Sequence, residues 1–200
     1  MPQMHRTKML LIETLIELLR NNPHSEITVD QVLTESGVSR GSLYHHFKDF
    51  SDLWDATLVH RFSQYIDDSV GILTSLVHSA QSTEEVREGL RAVTRFTQAP
   101  ERVSMRFERI MPFAYSIGNA NLAQMLADEQ ERLTGAIQEI IQTAKDKGFF
   151  AKDVDSRAAA VLIQAYTLGN IVNDVTPTQM QPDAWFSLID KIVDQVFTTA

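Results

Sequence analysis

The sequence predicts an all-α protein. Its 200 residues include only eight glycines and six prolines, whereas an all-β protein needs many tight turns built from these two residues. Apolar residues instead recur at helical spacing over long stretches. A composition of 44% hydrophobic and 22% charged residues is typical of a globular chain with a buried core, and it excludes a disordered or collagen-like one.

Two helices precede the first predicted turn. Helix one carries apolar residues at a 3.6-residue period between Met9 and Leu19, and an Asn-Asn-Pro sequence follows it. Helix two begins at a predicted capping box, because the Thr28 hydroxyl and the Gln31 side chain can each satisfy an otherwise unpaired backbone N–H. This helix is expected to end near residue 36.

A glycine-centred turn separates helix two from a third short helix. Gly37 can adopt the positive φ of a helix C-cap, Ser39 can cap the next helix, and that helix begins at Arg40. Two short helices joined in this way form a helix-turn-helix, whose second helix lies in the major groove of DNA. The sequence therefore predicts a three-helix DNA-binding domain at residues 1–50.

The rest of the chain, residues 51–200, is predicted to form a larger helical domain. A fourth helix starts near Ser51 and reaches the 70s, which makes it a connector between the two domains. Prolines and glycines separate the helices expected after it, at about 83–97, 101–116, 120–147, 154–173 and 183–198.

The charge distribution restricts how the protein could meet DNA. The formal net charge is -8, so an anionic partner must be met by a local patch. Residues 1–62 hold six lysines and arginines against eight aspartates and glutamates. We therefore expect modest affinity and a shallow salt dependence for one subunit, and tight binding only when two half-sites are occupied together.

The sequence favours a cytoplasmic protein without cofactors. No apolar run is free enough of polar residues and helix breakers to span a membrane, and no signal peptide is recognisable. The chain has no cysteine, which excludes disulfides and thiolate metal sites. His45 and His46 point about 100° apart on a helix, so a metal site is not expected there. No Ser/His/Asp arrangement indicates catalysis.

The N-terminal motifs resemble the TetR family of bacterial transcriptional regulators. The similar residues are those from Ile27 to Leu33, from Gly37 to Phe47, and Leu53. The resemblance is specific only in about the first 55 residues; beyond them it is limited to helix count and two long C-terminal helices. It implies a homodimer that binds a palindromic double-stranded DNA operator and a small-molecule effector, with residues 51–200 as the ligand-binding and dimerisation domain.

The resemblance also implies which residues contact DNA. Arg40 lies where the family commonly reads a base, and its guanidinium fork fits guanine O6 and N7. Tyr44 matches the family's phosphate-contacting tyrosine. Phe50 stands where the family usually has a lysine, and Lys48 can take over that phosphate contact. The expected DNA-binding residues are Thr28, Ser39, Arg40, Gly41, Ser42, Tyr44, His45 and Lys48.

Aromatic residues and methionines in the second half are candidates for a cavity lining. Such side chains offer adaptable apolar surface, and a few polar groups among them can orient a ligand. Ordinary core packing is the alternative, and the existence of a pocket is implied by the resemblance. The expected effector is uncharged or weakly polar, either aromatic or lipid-like. The candidate ligand-binding residues are Phe107, Met111, Tyr115, Met125, Tyr166 and Asn170.

The last two helices carry apolar bands too wide for a helix with one buried face. Two copies of this helix pair would bury the excess in a four-helix interface with two-fold symmetry, as the family's dimer does. The alternative is a helix buried inside a monomer. The candidate interface residues are Ala158, Leu162, Ala165, Gly169, Trp185, Ile189, Ile192 and Val196.

Arginines in the predicted helices at 83–97 and 101–116 have two interpretations. Arg87, Arg91 and Arg95 recur at four-residue steps and could form an anion-binding wall. Three more arginines follow at positions 102, 106 and 109, and glutamates are interleaved with all six. A solvated face of exchanging ion pairs is therefore favoured.

The predicted function is that of a TetR-like homodimeric repressor. An effector would change the separation of the two recognition helices through a small pivot of helix four, and this would break the register with the operator. An activator would share the same sequence features. The alternative from another class is a small all-α enzyme or ligand carrier that retains a non-functional helix-turn-helix.

Overall fold

The computed structural model describes residues 6–22 and 26–197, and these residues form α-helices and no β-strand. The all-α prediction is confirmed. A 3-10 helix at Pro100–Arg102 and a π-helical turn at Val193–Phe197 accompany the α-helices. The α-helices are α1 Arg6–Asn21, α2 Val29–Ser36, α3 Arg40–His46, α4 Phe50–Ser79, α5 Thr83–Thr97, α6 Val103–Ser116, α7 Ala120–Asp146, α8 Ser156–Gly169, α9 Ile171–Asp174 and α10 Pro182–Ile192.

The predicted capping signals define the helix boundaries near the N-terminus. The Thr28 hydroxyl accepts the Gln31 N–H at 3.3 Å, and the Gln31 side chain accepts the Thr28 N–H at 2.8 Å. Gly37 ends α2 with a φ of 66°, a left-handed conformation that favours glycine. Ser39 caps α3 by accepting the Ser42 N–H at 3.2 Å. The capping box and the glycine turn are therefore confirmed.

Helices α1, α2 and α3, which we call the N-terminal unit, enclose an apolar core. Leu11, Leu15, Val32, Leu43 and Phe47 are almost completely buried there. Because Leu43 and Phe47 point inward, the opposite side of α3 is left facing solvent. The unit therefore presents α3 as an exposed helix on a packed support.

Helix α4 joins the N-terminal unit to the rest of the chain. It is 30 residues long, which corresponds to about 45 Å. Asp49 caps it by accepting the Asp52 N–H at 2.9 Å, and Phe50 is its first residue and packs against the core. Helix α1 packs on α4, and α7 packs along it. A single continuous helix thus contacts both halves of the molecule.

Helices α4 and α7 run in the same direction and are connected near both ends. Near their N-termini, the Asn119 amide donates to the Asp55 carboxylate at 2.8 Å. At their C-termini, Lys147 Nζ donates to the backbone carbonyls of Val77 and His78 at 2.9 and 3.1 Å. Helix α7 also packs against α6 and α8, so it is the central helix of the C-terminal unit, which consists of α5 to α10.

The helix predicted at residues 154–173 is interrupted. Helix α8 ends at Gly169, and the short α9 follows a turn at Asn170. Asp174 forms a buried ion pair with Arg106 of α6, at 2.6 Å to Nε and 2.8 Å to Nη2. The partner lies on another helix, so the local sequence period could not predict this break.

The predicted last helix begins at residue 182 instead of 183, and its regular part ends at Ile192. The chain then continues in the π-helical turn. No helix within residues 6–22 and 26–197 combines the length and the hydropathy needed to cross a membrane.

Candidate nucleic-acid interface and ligand cavity

The solvent-facing side of α3 carries the predicted base-reading residues. Arg40 and Tyr44 are one helical turn apart, as are Gly41 and His45, so each pair shares a side of the helix. All four are exposed, whereas Ser42 is half-buried. The fold therefore brings a guanidinium, a phenol and an imidazole together on one exposed surface.

Arg40 is held by an ion pair in the free protein. Its guanidinium donates to the carboxylate of Asp30 on α2, and both side chains are more than half exposed. Exposed pairs of this kind contribute only about 0.2–1 kcal/mol. Arg40 could therefore leave Asp30 and bind a DNA base or a phosphate at little cost in free energy.

The predicted hydroxyl contacts take part in helix capping. The Thr28 hydroxyl belongs to the capping box of α2. The Ser39 hydroxyl caps α3 and also donates to the Ser42 hydroxyl at 3.0 Å. These bonds hold the first turn of each helix, and the Ser42 hydroxyl lies at the edge of the exposed surface.

Lys48 lies exposed at the junction of α3 and α4, between acidic residues. Its backbone N–H donates to the Asp52 carboxylate at 3.0 Å, and Asp49 is the N-cap of α4. The aromatic side chain of Phe50 packs against the core and does not replace a surface lysine. Lys48 is therefore the cation nearest to that position in sequence.

A cavity with a volume of about 60 Å³ lies among the helices of the C-terminal unit and α4. Half of its lining side chains are aliphatic, and the other half carry hydroxyl, amide or guanidinium groups. The lining residues are Tyr65, Ser69, Ile72 and Leu73 of α4, Leu90, Val93 and Thr97 of α5, Arg109 of α6, Leu133 and Ile137 of α7, and Ile163, Gln164, Tyr166 and Thr167 of α8.

Most polar groups of this cavity have partners inside the protein. The Tyr166 hydroxyl lies 3.1 Å from the Thr94 hydroxyl, and burial raises the pKa of Tyr166, so the phenol stays neutral. The Gln164 amide donates to the Thr134 hydroxyl at 3.2 Å and accepts from Gln130 at 2.6 Å. These bonds hold the α7–α8 side of the cavity in one arrangement.

Arg109 differs from the other polar groups of the cavity. Its guanidinium lies 3.7 Å above the ring centroid of Tyr65, and its Nε is buried without a hydrogen-bond partner. Burial lowers the pKa of Arg109 from its ordinary value. Sequence reasoning placed Arg106 and Arg109 on a solvated face, and this was wrong: Arg106 is buried against Asp174, and Arg109 lines the cavity.

The structure distributes the predicted ligand-binding residues over several places. Only Tyr166 lines the cavity beside Arg109. Asn170 is buried and lines another cavity, of about 90 Å³, beside Arg106 and Trp185. The other four line neither cavity: Phe107, Met111 and Tyr115 lie on the exposed side of α6, and the half-buried Met125 lies on α7.

The side of α6 that faces inward explains this distribution. Arg109 and Phe113, one turn apart, point toward α4: Arg109 stacks on Tyr65, and the Phe113 ring contacts Phe62 edge to face at 5.4 Å. Phe107 and Met111 are one turn apart on the other side, where they meet solvent. Aromatic content alone therefore could not identify the lining.

The predicted dimer residues on α8 form an exposed strip of small and apolar side chains. Ala158, Leu162, Ala165 and Gly169 recur at spacings of three or four and are all exposed. Val161, between them, is also exposed. Within residues 6–22 and 26–197, no other segment of the protein covers this strip.

The predicted dimer residues on α10 face the interior instead. Ile189 is only 2% exposed, Trp185 donates to the Gln98 side chain, and Ile192 is partly buried against the core. The side chain of Val196 lies outside the described residues. The exposed apolar residue of α10 is Leu188, which shares its outward side with Ala184.

The arginines of α5 hold α10 in place. Arg91 donates to both carboxylate oxygens of Asp194 at 2.7 and 3.0 Å, and Arg95 donates to Asp190 at 2.7 Å. Arg87 and Arg91 also contact Glu84, one of the interleaved glutamates. The ion-pair interpretation of this arginine run is therefore correct, but its main partners come from a distant part of the sequence.

The sequence matches no family model and no curated protein. Solved structures match over nearly the whole chain. One is a regulator from Mesorhizobium loti named as TetR-family, with a TM-score of 0.72, 15% identity, and coverage of 97% of this chain and 98% of that one. Another is a TetR transcription regulator from Haloarcula marismortui, with a TM-score of 0.69, 13% identity, and coverage of 96% and 98%.

A transcriptional regulator from Saccharomonospora viridis, solved in complex with choline, is also similar. Its TM-score is 0.68 at 16% identity, with coverage of 96% of this chain and 98% of that one. At such identities the likeness establishes the fold. This chain has the fold of the TetR-type regulators, a helix-turn-helix unit followed by a larger helical unit, as the sequence predicted.

Proposed function

We propose that this chain is a TetR-type transcriptional regulator, a homodimer that binds a palindromic DNA operator and releases it when a small molecule occupies the cavity of the C-terminal unit. The observation that carries the proposal is the exposed side of α3. There Arg40, Tyr44 and His45 stand on a helix that follows the left-handed turn at Gly37 and whose first turn is capped by Ser39.

Arg40 supplies the base contact in this proposal. A guanidinium can donate two hydrogen bonds to guanine in the major groove, and such a bidentate pair discriminates against the wrong base by about 1–3 kcal/mol. Tyr44, Lys48 and the Ser42 hydroxyl would contact phosphates and fix the register. The acidic neighbours of Lys48 make each half-site weak, so sequence-specific binding requires two subunits.

The second subunit would pack on the exposed strip of α8. Ala158, Ala165 and Gly169 permit close approach of two helices, while Leu162 and Leu188 supply apolar area. A two-fold axis through this strip gives the two α3 helices symmetric positions. A palindromic operator would require them to be about 34 Å apart, or a multiple of that distance.

Helix α4 would couple the cavity to the operator. Tyr65, Ile72 and Leu73 of α4 line the cavity, and Leu53 near its start is buried in the core. A ligand that shifts α4 would therefore move the N-terminal unit with it and change the distance between the two recognition helices. Occupation of a cavity by a small molecule is consistent with the choline complex of the Saccharomonospora viridis regulator.

Repression is the expected outcome where the operator overlaps a promoter, because the bound dimer then blocks transcription until its ligand releases it. A regulator must share a compartment with the DNA that it binds, so the expected location is the bacterial cytoplasm. No catalytic role is proposed, since Tyr166 and Gln164 of the cavity are paired with neighbouring residues and Arg109 provides binding chemistry.

Selection of bound fragments from random duplex DNA at moderate salt tests the recognition step. We expect the wild type to enrich an inverted repeat and Arg40→Ala to lose this preference while remaining dimeric. Arg157→Ala is the matched control, because Arg157 also forms an exposed ion pair with a carboxylate, at 2.7 Å from Glu131, but lies on α8. Absence of enrichment even at low salt, or the same sequence enriched by Arg40→Ala, would contradict the proposal.

Sedimentation velocity tests the dimer separately. Leu162→Asp places a charge in the exposed strip of α8 and should yield monomers, since an unpaired charge in a packed interface is costly. Leu10→Asp is the control, because Leu10 on α1 is 42% exposed and Leu162 is 40% exposed. A dimer that tolerates Leu162→Asp as well as Leu10→Asp would mean that the subunits meet elsewhere.

A further inference from the structure

Arg109 carries a positive charge into the cavity without a carboxylate to balance it. Arg106, three residues earlier on the same helix, has such a partner in Asp174. Arg109 has no ion pair with any residue in 6–22 or 26–197, and its Nε has no hydrogen-bond acceptor. Buried donors in proteins are almost always paired. The Nε itself is closed off by the surrounding atoms, whereas the two Nη groups are not, and they have no acceptor among the described residues, so they are the donors that a ligand in the cavity can reach.

The aromatic ring beneath Arg109 compensates only part of the lost hydration. The guanidinium lies 3.7 Å from the Tyr65 ring centroid, a favourable cation–π distance. The ring stabilises the charge through its face but accepts no hydrogen bond from Nε. The stacked geometry therefore orients the guanidinium and leaves its edge available.

Acidic side chains occur on the outer side of the Tyr65–Arg109 pair. Tyr65 and Arg109 also line a groove of about 320 Å³ on that side, together with Asp68 and Glu108. Glu108 is paired with Arg61, and Asp68 forms no ion pair with Arg109. The protein therefore provides carboxylates on the solvent side of Arg109 but none on the cavity side.

The rest of the cavity is suited to hydrocarbon. Leu73, Leu90, Val93 and Ile137 are among its seven aliphatic lining residues. Apart from Arg109, its polar lining residues are neutral: Tyr65, Ser69, Thr97, Gln164, Tyr166 and Thr167. Its volume of about 60 Å³ corresponds to roughly four to six non-hydrogen atoms at the space one water needs. A short or branched chain, or one ring after slight expansion, would fill it.

We propose that this cavity binds a small monocarboxylate with an apolar body, whose carboxylate accepts hydrogen bonds from Arg109 and whose hydrocarbon packs among the aliphatic lining. This replaces the uncharged effector expected from the sequence. That the bound acid is the effector rests on the proposed function, whereas the binding itself does not. Because Tyr65 belongs to α4, an anion that moves Arg109 acts on the helix that carries the N-terminal unit.

Matched acid and amide pairs test the charge requirement. Binding of butyrate, isovalerate and benzoate to the full-length protein is measured by calorimetry and by chemical-shift changes, against butyramide, isovaleramide and benzamide. A hydrogen bond to a charged partner should favour the best acid over its amide by about tenfold or more. Equal binding of acid and amide, or no binding of any acid at millimolar concentration, would overturn the proposal.

Variants assign the preference to Arg109. Arg109→Gln should reduce the acid preference to about twofold or less while amide binding persists, and Arg109→Lys, which keeps the charge, should retain part of it. Arg102→Gln is the matched control, because Arg102 also lies over an aromatic ring, at 3.5 Å from Phe96, but outside this cavity. Equal loss of preference in Arg102→Gln would mean that the acid binds elsewhere.

The acid site and the regulatory function fail in different ways. Thermal unfolding of each variant shows whether it is folded, and the wild type is tested in parallel for release of its selected DNA by the best acid. If acid binding depends on Arg109 but no DNA sequence is selected, the proposed regulatory function is refuted and the proposed acid site stands. If a DNA sequence is selected but acids bind no better than amides, the proposed acid site is refuted and the proposed regulatory function stands.

Discussion

The N-terminal unit and the C-terminal unit are stabilised by different kinds of interior. Among the described residues, every buried polar or charged side chain lies at or beyond Asp55, and none lies in α1, α2 or α3. The interior of the N-terminal unit is formed by leucine, isoleucine, valine and phenylalanine side chains. The C-terminal unit instead buries an ion pair, several amides and hydroxyls, and a cavity.

This difference matches two tasks. An apolar core holds a small unit in one shape, so that an exposed helix can be presented at a fixed angle. Buried polar groups are costly unless each has a partner with suitable geometry, and such networks specify one arrangement and can be redirected by a ligand. The first interior suits recognition of a rigid partner, whereas the second suits response to a small molecule.

The largest expected effect tests the polar interior. Arg106→Met leaves the carboxylate of Asp174 buried without its partner, since the two side chains are 3% and 4% exposed. Loss of one member of a buried pair costs about 3–5 kcal/mol of unfolding free energy. Chemical denaturation measures this loss, with Arg157→Met as the control in an exposed pair.

The double variant Arg106→Met, Asp174→Leu makes the comparison sharper. It removes both charges and should recover most of the stability that Arg106→Met loses, since a buried pair is often no better than apolar residues of similar size. If the double variant were as unstable as the single one, the site would depend on packing around Arg106 and not on its charge.

The second effect tests the apolar interior. Leu11→Ala removes a completely buried side chain from the N-terminal unit and should lower the unfolding free energy by about 2–5 kcal/mol. Leu10→Ala changes the adjacent, 42% exposed leucine and should cost no more than about 0.5–1 kcal/mol. Similar losses for the two variants would contradict the packing of α1.

The third prediction concerns the Asp30–Arg40 ion pair on the surface of the N-terminal unit. Asp30→Asn removes the carboxylate that holds Arg40 and a negative charge beside the DNA. An exposed pair contributes about 0.2–1 kcal/mol, so affinity for the selected DNA should rise by roughly two- to fivefold at low salt. Fluorescence anisotropy of labelled duplex measures it, and Glu131→Gln, which breaks the pair with Arg157, should leave affinity unchanged.

The smallest effect is a pH dependence on the surface of the C-terminal unit. Hydrogen bonds from Arg157, together with its charge, lower the pKa of Glu131 below its ordinary value. A carboxyl whose pKa is lower in the folded state stabilises the fold above its unfolded pKa, and this contribution disappears as the pH falls through the folded pKa.

The stability difference between wild type and Glu131→Gln should therefore shrink when the pH is lowered from about 6 to about 3. Denaturant unfolding at a series of pH values measures the difference. Glu139→Gln, on the same helix, is the control and should change stability little at any pH, because Glu139 forms no ion pair within the described residues. A difference for Glu131→Gln that is constant with pH would contradict the Arg157 contact.

The sequence was most informative where local interactions determine structure. The capping box at Thr28, the left-handed Gly37 and the inward direction of Leu43 each depend on residues within four positions. Because of this, the helix-turn-helix and the exposed residues of α3 could be predicted with the correct boundaries. Their contact with DNA stays a prediction.

Sequence reasoning was least informative where partners are distant along the chain. Asp174 binds Arg106 across 68 positions, and Arg91 binds Asp194 across 103. The helical period indicates which residues share a side, but it does not indicate which side faces the interior when both carry apolar residues. For this reason Met111 and Tyr115 were predicted to line the cavity and Arg109 was not. Ile189, which is buried, was likewise predicted for the dimer interface, and the exposed Leu188 was not.

The two tryptophans of the chain lie at places where they can act as separate optical reporters. Trp54, near the start of α4, contacts Tyr115 edge to face at 6.4 Å, and Trp185 on α10 donates to Gln98. In Trp185→Phe the remaining fluorescence comes from the junction with the N-terminal unit, and in Trp54→Phe it comes from the C-terminal unit. Titrating each variant with a compound, and following its fluorescence, would therefore show whether binding changes the environment of Trp54, of Trp185 or of both.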